Sequence, residues 1–203
     1  MLYKYNINQT TLKILSLYRN NYNTSLHLRE IARQTNVDVK ATQLQLKKLE
    51  NTNTIQATTK GRNKEYTLNL NNYTTKYHMT LAETYTTINY LNQNYEIKKL
   101  ITETENQLGN TAILFGSFAK QETTPESDID ILIITNTKPD TNAIEEAGKL
   151  INRDINIKQT TEEQFQRGLQ NNDPLISEII ANHILLKGID TICSIMWRHH
   201  AGR

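Results

Sequence analysis

Apolar residues recur at helical spacing in the first fifty residues of the chain. The segments 9–22, 28–35 and 38–51 each carry apolar side chains three or four positions apart. Two short runs with strand-like patterning follow at 55–58 and 65–70, and a basic segment of five residues joins them. This pattern predicts three helices followed by a β-hairpin.

Residues 73–108 carry a second helical pattern and contain no glycine or proline. The polar residues at 92–94 predict a break between two helices. One stripe of apolar and tyrosine side chains recurs at steps of three and four, and we expect it to be buried in the core, or in part against a second subunit. Its members are Tyr77, Leu81, Tyr85, Ile88, Leu91 and Tyr95.

Candidate chemistry appears where two apolar runs follow each other after residue 108. The first run ends in a Gly116-Ser117 turn, and about ten residues later Asp128 and Asp130 bracket the start of the second run. On a strand, side chains at i and i+2 point to the same face, so these carboxylates would project side by side. Such a pair suits a hard cation such as Mg²⁺ or Mn²⁺. Backbone N–H groups of a Gly-Ser turn can approach a phosphate.

Composition narrows the class of protein. Cys193 is the single cysteine among 203 residues, which excludes an intramolecular disulfide and a two-cysteine metal site. No cationic segment leads into a long apolar core, and no apolar run approaches the roughly 18 residues of a membrane span. We therefore expect a soluble cytoplasmic protein without a membrane partner.

Charge is divided unequally along the chain. Residues 1–72 contain eleven Lys or Arg and four Asp or Glu, whereas residues 73–203 contain twelve and seventeen. A basic region attracts phosphate backbones, and an acidic cleft holds metal. The sequence thus predicts a polyanion-binding part ahead of a metal-binding part.

The Gly-Ser turn and the Asp-x-Asp strand together resemble the nucleotidyltransferase superfamily that includes DNA polymerase beta, kanamycin nucleotidyltransferase and the minimal nucleotidyltransferases. The resemblance implies transfer of a nucleoside monophosphate from a Mg²⁺-bound nucleoside triphosphate to an acceptor. It implies that Asp128 and Asp130 are catalytic metal ligands and that Gly116 and Ser117 bind the nucleotide. Lys120, where the family often has a basic residue, would contact a phosphate.

The family usually supplies a third carboxylate from the next strand, which we expect at 154–158. The most natural register places Asn156 at that position, and a neutral amide is a poorer ligand for a hard cation. Asp154 lies two residues earlier on the same face and would replace it if the strand were shifted or bent. Asp154 is therefore the third candidate catalytic residue.

Three helices and a basic hairpin resemble a winged helix-turn-helix domain, which implies binding of double-stranded DNA through the third helix and the hairpin. A protein-docking or dimerisation module is the alternative. The expected fold class is α+β, with a winged helix at 1–72, a helical connector at 73–108 and a nucleotidyltransferase domain with a small mixed sheet at 109–203. The candidate DNA-binding residues are Lys40, Gln43, Lys47, Lys60, Arg62 and Lys64.

Two functions remain open at this point. The first is an active nucleotidyltransferase that its winged helix brings to nucleic acid or to a protein partner. Because small stand-alone members of the family are often paired with a helical toxin, this hypothesis includes an antitoxin role. The second is a non-catalytic DNA-binding regulator whose degenerate site senses a nucleotide, a reading that Asn156 favours. Either protein could be a homodimer.

Overall fold

The computed structural model describes residues 7–61 and 63–202. The chain divides into two compact units, one formed by Met1–Tyr85 with Met196–Arg203 and the other by Thr86–Ile195. The division within the chain therefore falls at Tyr85, inside the segment predicted as a connector. Among the described residues, no helix has the length and apolar character needed to cross a membrane.

The first unit contains three helices and a small antiparallel sheet. Its elements are α1 (Gln9–Ser16), β1 (Leu26–His27), α2 (Leu28–Thr35), α3 (Val39–Asn51), β2 (Ile55–Lys60) and β3 (Asn63–Leu68). The strand order is β1-β3-β2, with both neighbours of β3 antiparallel to it. The three helices and the hairpin are as predicted, whereas the two-residue strand β1 was not expected. The assignment of these elements to a winged helix remains a prediction.

Polar side chains set the ends of these helices. Asn8 accepts a hydrogen bond from the backbone N–H of Thr11, and Asp38 accepts from the N–H groups of Lys40 and Ala41. Helix α1 ends at Ser16, six residues before the predicted end, because the chain continues in turns. Asn36 ends α2 in the left-handed conformation.

Two helices follow, α4 (Thr74–Gln93) and α5 (Tyr95–Thr104), with Asn94 at the predicted break. The expectation that their apolar stripe is core is wrong in most of its members. Tyr77, Leu81, Ile88 and Tyr95 are exposed. Several polar side chains of α4 are buried instead, among them His78, Glu83 and Thr87, because each finds a hydrogen-bond or ion-pair partner.

The second unit is built on a four-stranded mixed sheet. Its remaining elements are β4 (Thr111–Phe115), α6 (Gly116–Lys120), β5 (Ile129–Ile134), α7 (Thr141–Lys149), β6 (Ile155–Thr160), α8 (Glu162–Gln170), α9 (Pro174–Ala181), β7 (Ile184–Lys187) and the first part of α10 (Ile189–Ala201), whose residues from Met196 onward belong to the first unit. The strand order is β6-β5-β4-β7, with β5 parallel to β6 and antiparallel to β4. The small mixed sheet of an α+β protein is thus present.

The alternation of side chains along β5 separates core from site. Ile129, Ile131 and Ile133 are fully buried in a cluster with residues of α5 and α7, and Ile155 and Ile157 of β6 pack against it. The intervening residues Asp130 and Asn156 point to the opposite face of the sheet. Burial of the isoleucine face therefore fixes the register that presents the polar side chains.

Candidate active site

Gly116 and Asp130 are in direct contact at the edge where β4 meets β5. Phe115, the last residue of β4, pairs with Asp130, and Gly116 then turns the chain with a φ of +68°. A Cβ atom added to Gly116 would overlap the carboxylate oxygen Oδ2 of Asp130. Glycine is therefore required here for its conformation and for the space that the carboxylate occupies. The turn and the aspartate form one structural unit.

Asp128 and Asp130 are bridged by the side chain of Asn156. Asp130 pairs with Asn156 across the parallel strands, which is the register expected from the sequence. Asn156 Nδ2 donates to Asp128 Oδ2 at 3.2 Å and to Asp130 Oδ1 at 3.4 Å. The two carboxylates therefore share a single neutral donor, in the place where a cation would bind both.

The pKa of Asp130 is raised above its usual value, mainly because partial burial disfavours the charged carboxylate. The hydrogen bond from Asn156 and the charge of Lys158 lower that pKa, while the charges of Asp128 and Glu178 raise it. A divalent cation would relieve this unfavourable charge, so the pair suits an ion such as Mg²⁺.

Asp154 lies just before β6, and its carbonyl oxygen accepts a hydrogen bond from Ile129 N. Its side chain is exposed. Within residues 7–61 and 63–202, no three His, Cys, Asp or Glu side chains are grouped so that they could hold a metal ion. Asp128 and Asp130 would therefore hold a cation with help from substrate oxygens and water, and the catalytic role of Asp154 remains a prediction.

The sequence of this region matches the model of a known protein family. The family model described as "Polymerase beta, Nucleotidyltransferase" matches residues 86–192, just over half of the 203 residues. The chain belongs to the polymerase beta nucleotidyltransferase family. The matched segment begins at the first residue of the second compact unit and contains the sheet, the Gly-Ser turn and both aspartates. No curated protein and no solved structure matches the chain significantly.

Two further residues that the family resemblance implicates lie on α6. The hydroxyl of Ser117 forms no hydrogen bond with any residue that the structure describes, so it is available to a ligand. Lys120, in contrast, forms an ion pair with Glu178 of α9, with Nζ 3.0 Å from Oε1. Its role as a phosphate contact remains a prediction, and it would require this ion pair to open.

Arg153 is a residue of this candidate site that sequence reasoning missed. Its Nη1 group donates to the carbonyl oxygens of Thr124 at 2.9 Å and Pro125 at 2.6 Å, and its Nε donates to Glu96 at 3.0 Å. The guanidinium also lies over the ring of Phe118, 5.4 Å from its centroid. Arg153 thus holds the loop that leads into Asp128. In the sequence, Arg153 directly precedes the strand that was expected to carry the third carboxylate. That position gave no indication that Arg153 holds this loop.

The candidate DNA-binding residues lie in the first unit. Lys40, Gln43 and Lys47 are exposed on α3. Lys64 is exposed as well, and it forms an ion pair with Glu50 at 2.8 Å. The side chains of Lys60 and Arg62 lie outside the part of the chain that the structure describes.

A groove of about 550 Å³ adjoins two of these residues, Gln43 and Lys64. It is lined by His27, Leu28, Arg29, Gln43, Asn63, Lys64 and Tyr66. Arg29, which the sequence did not single out, is exposed at the start of α2 and forms no ion pair with a described residue. Arg29 therefore adds an available cation to this groove.

Proposed function

We propose that the protein is a nucleotidyltransferase that transfers a nucleoside monophosphate from a metal-bound nucleoside triphosphate to an acceptor. The observation that carries this proposal is the contact between Gly116 and the carboxylate of Asp130. It joins a turn suited to phosphate binding with the side chains suited to metal binding. Family membership supports the same reaction class.

Each residue has a defined task in this proposal. Asp128 and Asp130 hold a divalent cation, Mg²⁺ or Mn²⁺, which neutralises charge on the phosphate oxygens when it is bound. The backbone N–H groups at Gly116 and Ser117, with the Ser117 hydroxyl, orient the triphosphate. Arg153 keeps the loop before Asp128 in place through its bonds to Thr124 and Pro125.

The first unit supports a targeting role in this proposal. It carries the basic part of the chain, and exposed Lys40, Gln43 and Lys47 occupy one helix beside a β-hairpin. As a winged helix, it would bring the enzyme to double-stranded DNA. The acceptor would then be a partner macromolecule, including a helical toxin if the protein serves as an antitoxin. A small helical toxin encoded beside this protein would support that role.

A second candidate function has a specific observation in its favour. Asn156 donates to both aspartates, so the site without ligand already has a partner for its carboxylates. This favours a non-catalytic DNA-binding regulator in which the site senses a nucleotide. The two functions differ in whether label passes from the triphosphate to an acceptor.

Calorimetric titration with each nucleoside triphosphate and Mg²⁺ tests the proposed site. We expect binding to the wild type and a loss of at least about tenfold in affinity in Asp128→Asn and Asp130→Asn, because a carboxylate ligand of the cation is removed. Asp190→Asn is the control, since Asp190 is exposed at the start of α10. Binding that is unchanged in both site variants would refute the assignment of the metal ligands.

Incubation with a triphosphate labelled on the α-phosphate then separates the two functions. Label transferred to DNA, to a protein partner or to the chain itself supports the enzyme. Nucleotide binding without transfer to any of these acceptors supports the regulator.

DNA binding is tested by its salt dependence. We expect affinity to fall steeply as salt rises and the slope of log K against log salt to decrease by roughly one for each phosphate contact removed, in Lys40→Gln, Lys47→Gln and Arg62→Gln. Lys98→Gln is the control, because Lys98 is exposed on α5 in the second unit. An affinity that does not change with salt would instead indicate a protein-docking module.

A further inference from the structure

The two sides of the aspartate pair are chemically different. On the β4 side, Gly116 and Ser117 offer backbone N–H groups and a hydroxyl. On the β6 side, Asn156 presents a neutral amide, and Lys158 follows two residues later on the same face. The β6 side therefore carries a neutral amide where the family usually places a carboxylate, and a positive charge two residues further along the strand.

Lys158 lies close to the aspartate pair, and its side chain is not engaged there by a hydrogen bond or an ion pair with a described residue. It pairs with Leu132, which follows Asp130 by two residues on β5, so both residues extend the face that carries the aspartates. Its charge lowers the pKa of Asp130. The side chain is exposed and forms no hydrogen bond or ion pair with a described residue.

A groove of about 420 Å³ opens beside Lys158. Leu132 and Ile176 give it apolar walls, and Gln159 and Thr160 line its polar part. Asp173, its one carboxylate, accepts the N–H groups of Leu175 and Ile176 at the start of α9. The groove thus offers one uncommitted charge, and that charge is positive.

Lys120 does not offer an uncommitted positive charge. Its ammonium group is already 3.0 Å from Glu178 Oε1, so a phosphate must compete with a carboxylate for it. Of the two lysines beside the aspartates, Lys158 is the one that a phosphate oxygen reaches without breaking an ion pair within the described residues.

We propose that this site binds a single divalent cation, on Asp128 and Asp130, and that Lys158 supplies the second positive charge to the phosphate of the bound nucleotide. This inference rests on the proposed function. An amide at position 156 is a poor ligand for a hard cation. A second divalent ion on the β6 side would also lie near the ammonium group of Lys158, which repels it. Lys158 is thereby a substrate-binding residue.

Equilibrium dialysis against Mn²⁺ and a non-hydrolysable α,β-methylene triphosphate counts the ions. We expect one Mn²⁺ for each protein-bound analogue in the wild type. Two Mn²⁺ per analogue would overturn the single-ion inference and leave the proposed function standing. If neither analogue nor Mn²⁺ is retained by the protein, the proposed function itself is contradicted.

The variant Asn156→Asp places a carboxylate where the family usually has its third one. It shows whether the dialysis experiment detects a second Mn²⁺ when a ligand for it is present. We expect Asn156→Asp combined with Lys158→Gln to retain two Mn²⁺ per analogue, because the added ligand is present and the repelling charge is gone. A thermal melt with the analogue bound checks that the double variant is folded. A count of one in this folded variant would contradict the role assigned to Asn156 and Lys158 in limiting the site to one ion.

Affinity for the analogue tests Lys158 directly. In Lys158→Gln we expect binding about tenfold weaker in the presence of Mn²⁺, the loss typical of a hydrogen bond to a charged group, with most of it regained in Lys158→Arg. Lys149→Gln is the matched control, because Lys149 is an exposed lysine of α7, on the isoleucine side of the sheet. Equal affinity in Lys158→Gln and Lys149→Gln would overturn the role of Lys158.

Discussion

The two units place charged side chains in different surroundings. In the first unit, Glu83 is 2% exposed and lies 2.7 Å from the Arg19 guanidinium, and buried His78 contacts the hydroxyl of Thr54. In the second unit, the isoleucine face of the sheet is apolar, and the carboxylates of Asp128 and Asp130 lie together on the opposite face.

This difference separates structural polar groups from functional ones. A buried polar group with a full partner stabilises one conformation and has nothing left to offer a ligand. Asp128 and Asp130 repel each other and share one amide donor, so they retain capacity for a cation. A polar group of the interior has its full set of partners, whereas one of the candidate site does not. This difference, rather than burial, distinguishes the two.

The variant Glu83→Gln tests the structural side of this comparison, and we expect the largest effect there. It removes the anion that pairs with the mostly buried Arg19 guanidinium, which should destabilise folding by about 3 kcal/mol. Glu163→Gln is the control, since Glu163 pairs with Arg167 on the surface of α8 and such pairs contribute about 0.5 kcal/mol. Chemical denaturation measures both. Equal stability of the two variants would mean that the Arg19–Glu83 pair has no structural role.

The variant Gly116→Ala tests the functional side. The left-handed conformation costs about 1 to 2 kcal/mol with a Cβ atom, and the clash with Asp130 displaces the carboxylate. We expect loss of nucleotide binding together with a moderate loss of stability. Gly61→Ala is a matched control, because Gly61 has a φ of +63° and no atom within 4 Å of the added Cβ. If both variants bind nucleotide like the wild type, Gly116 does not hold Asp130 in place.

The sequence predicted the parts of the molecule that local patterns determine. Alternating isoleucines in β5 required one buried face, which placed Asp128 and Asp130 on the other and Asn156 beside them. The helix break at Asn94 and the cap at Asp38 followed from residue type alone.

Long-range contacts limited the rest of the prediction. The stripe on α4 was assigned to the core because tyrosine and leucine usually are buried, yet Glu83 takes a buried position since Arg19 lies 64 residues away to pair with it. Arg153 and the Lys120–Glu178 pair were not foreseen for the same reason. The partners of these charged side chains lie on other elements, and no local periodicity indicates them.

Acid titration tests the comparison through its smallest expected effects. His200 in the first unit and Asp130 in the second should change the pH dependence of folding stability in opposite directions. Burial, and secondly the neighbouring His199, lower the pKa of His200 from 6.5 to about 4. His200 stacks on Tyr22 in the first unit, with ring centroids 5.3 Å apart. As pH falls from 6.5 towards 4, the unfolded chain takes up a proton that folded His200 refuses, so stability is lost. His200→Gln should therefore lose less stability between pH 7 and pH 5.

Asp130 should show the reverse sign. Its folded-state pKa is raised, so the folded protein binds the proton more readily than the unfolded chain, and the charged carboxylate costs stability at neutral pH. Asp130→Asn should then melt at a higher temperature than the wild type at pH 7 without metal, with the difference shrinking as the wild-type carboxyl is protonated in acid. Added Mg²⁺ and triphosphate should raise the melting temperature of the wild type alone. A variant that melts lower at pH 7 would show that the carboxylate of Asp130 is already satisfied, as Glu83 is, and that it belongs to the structural class.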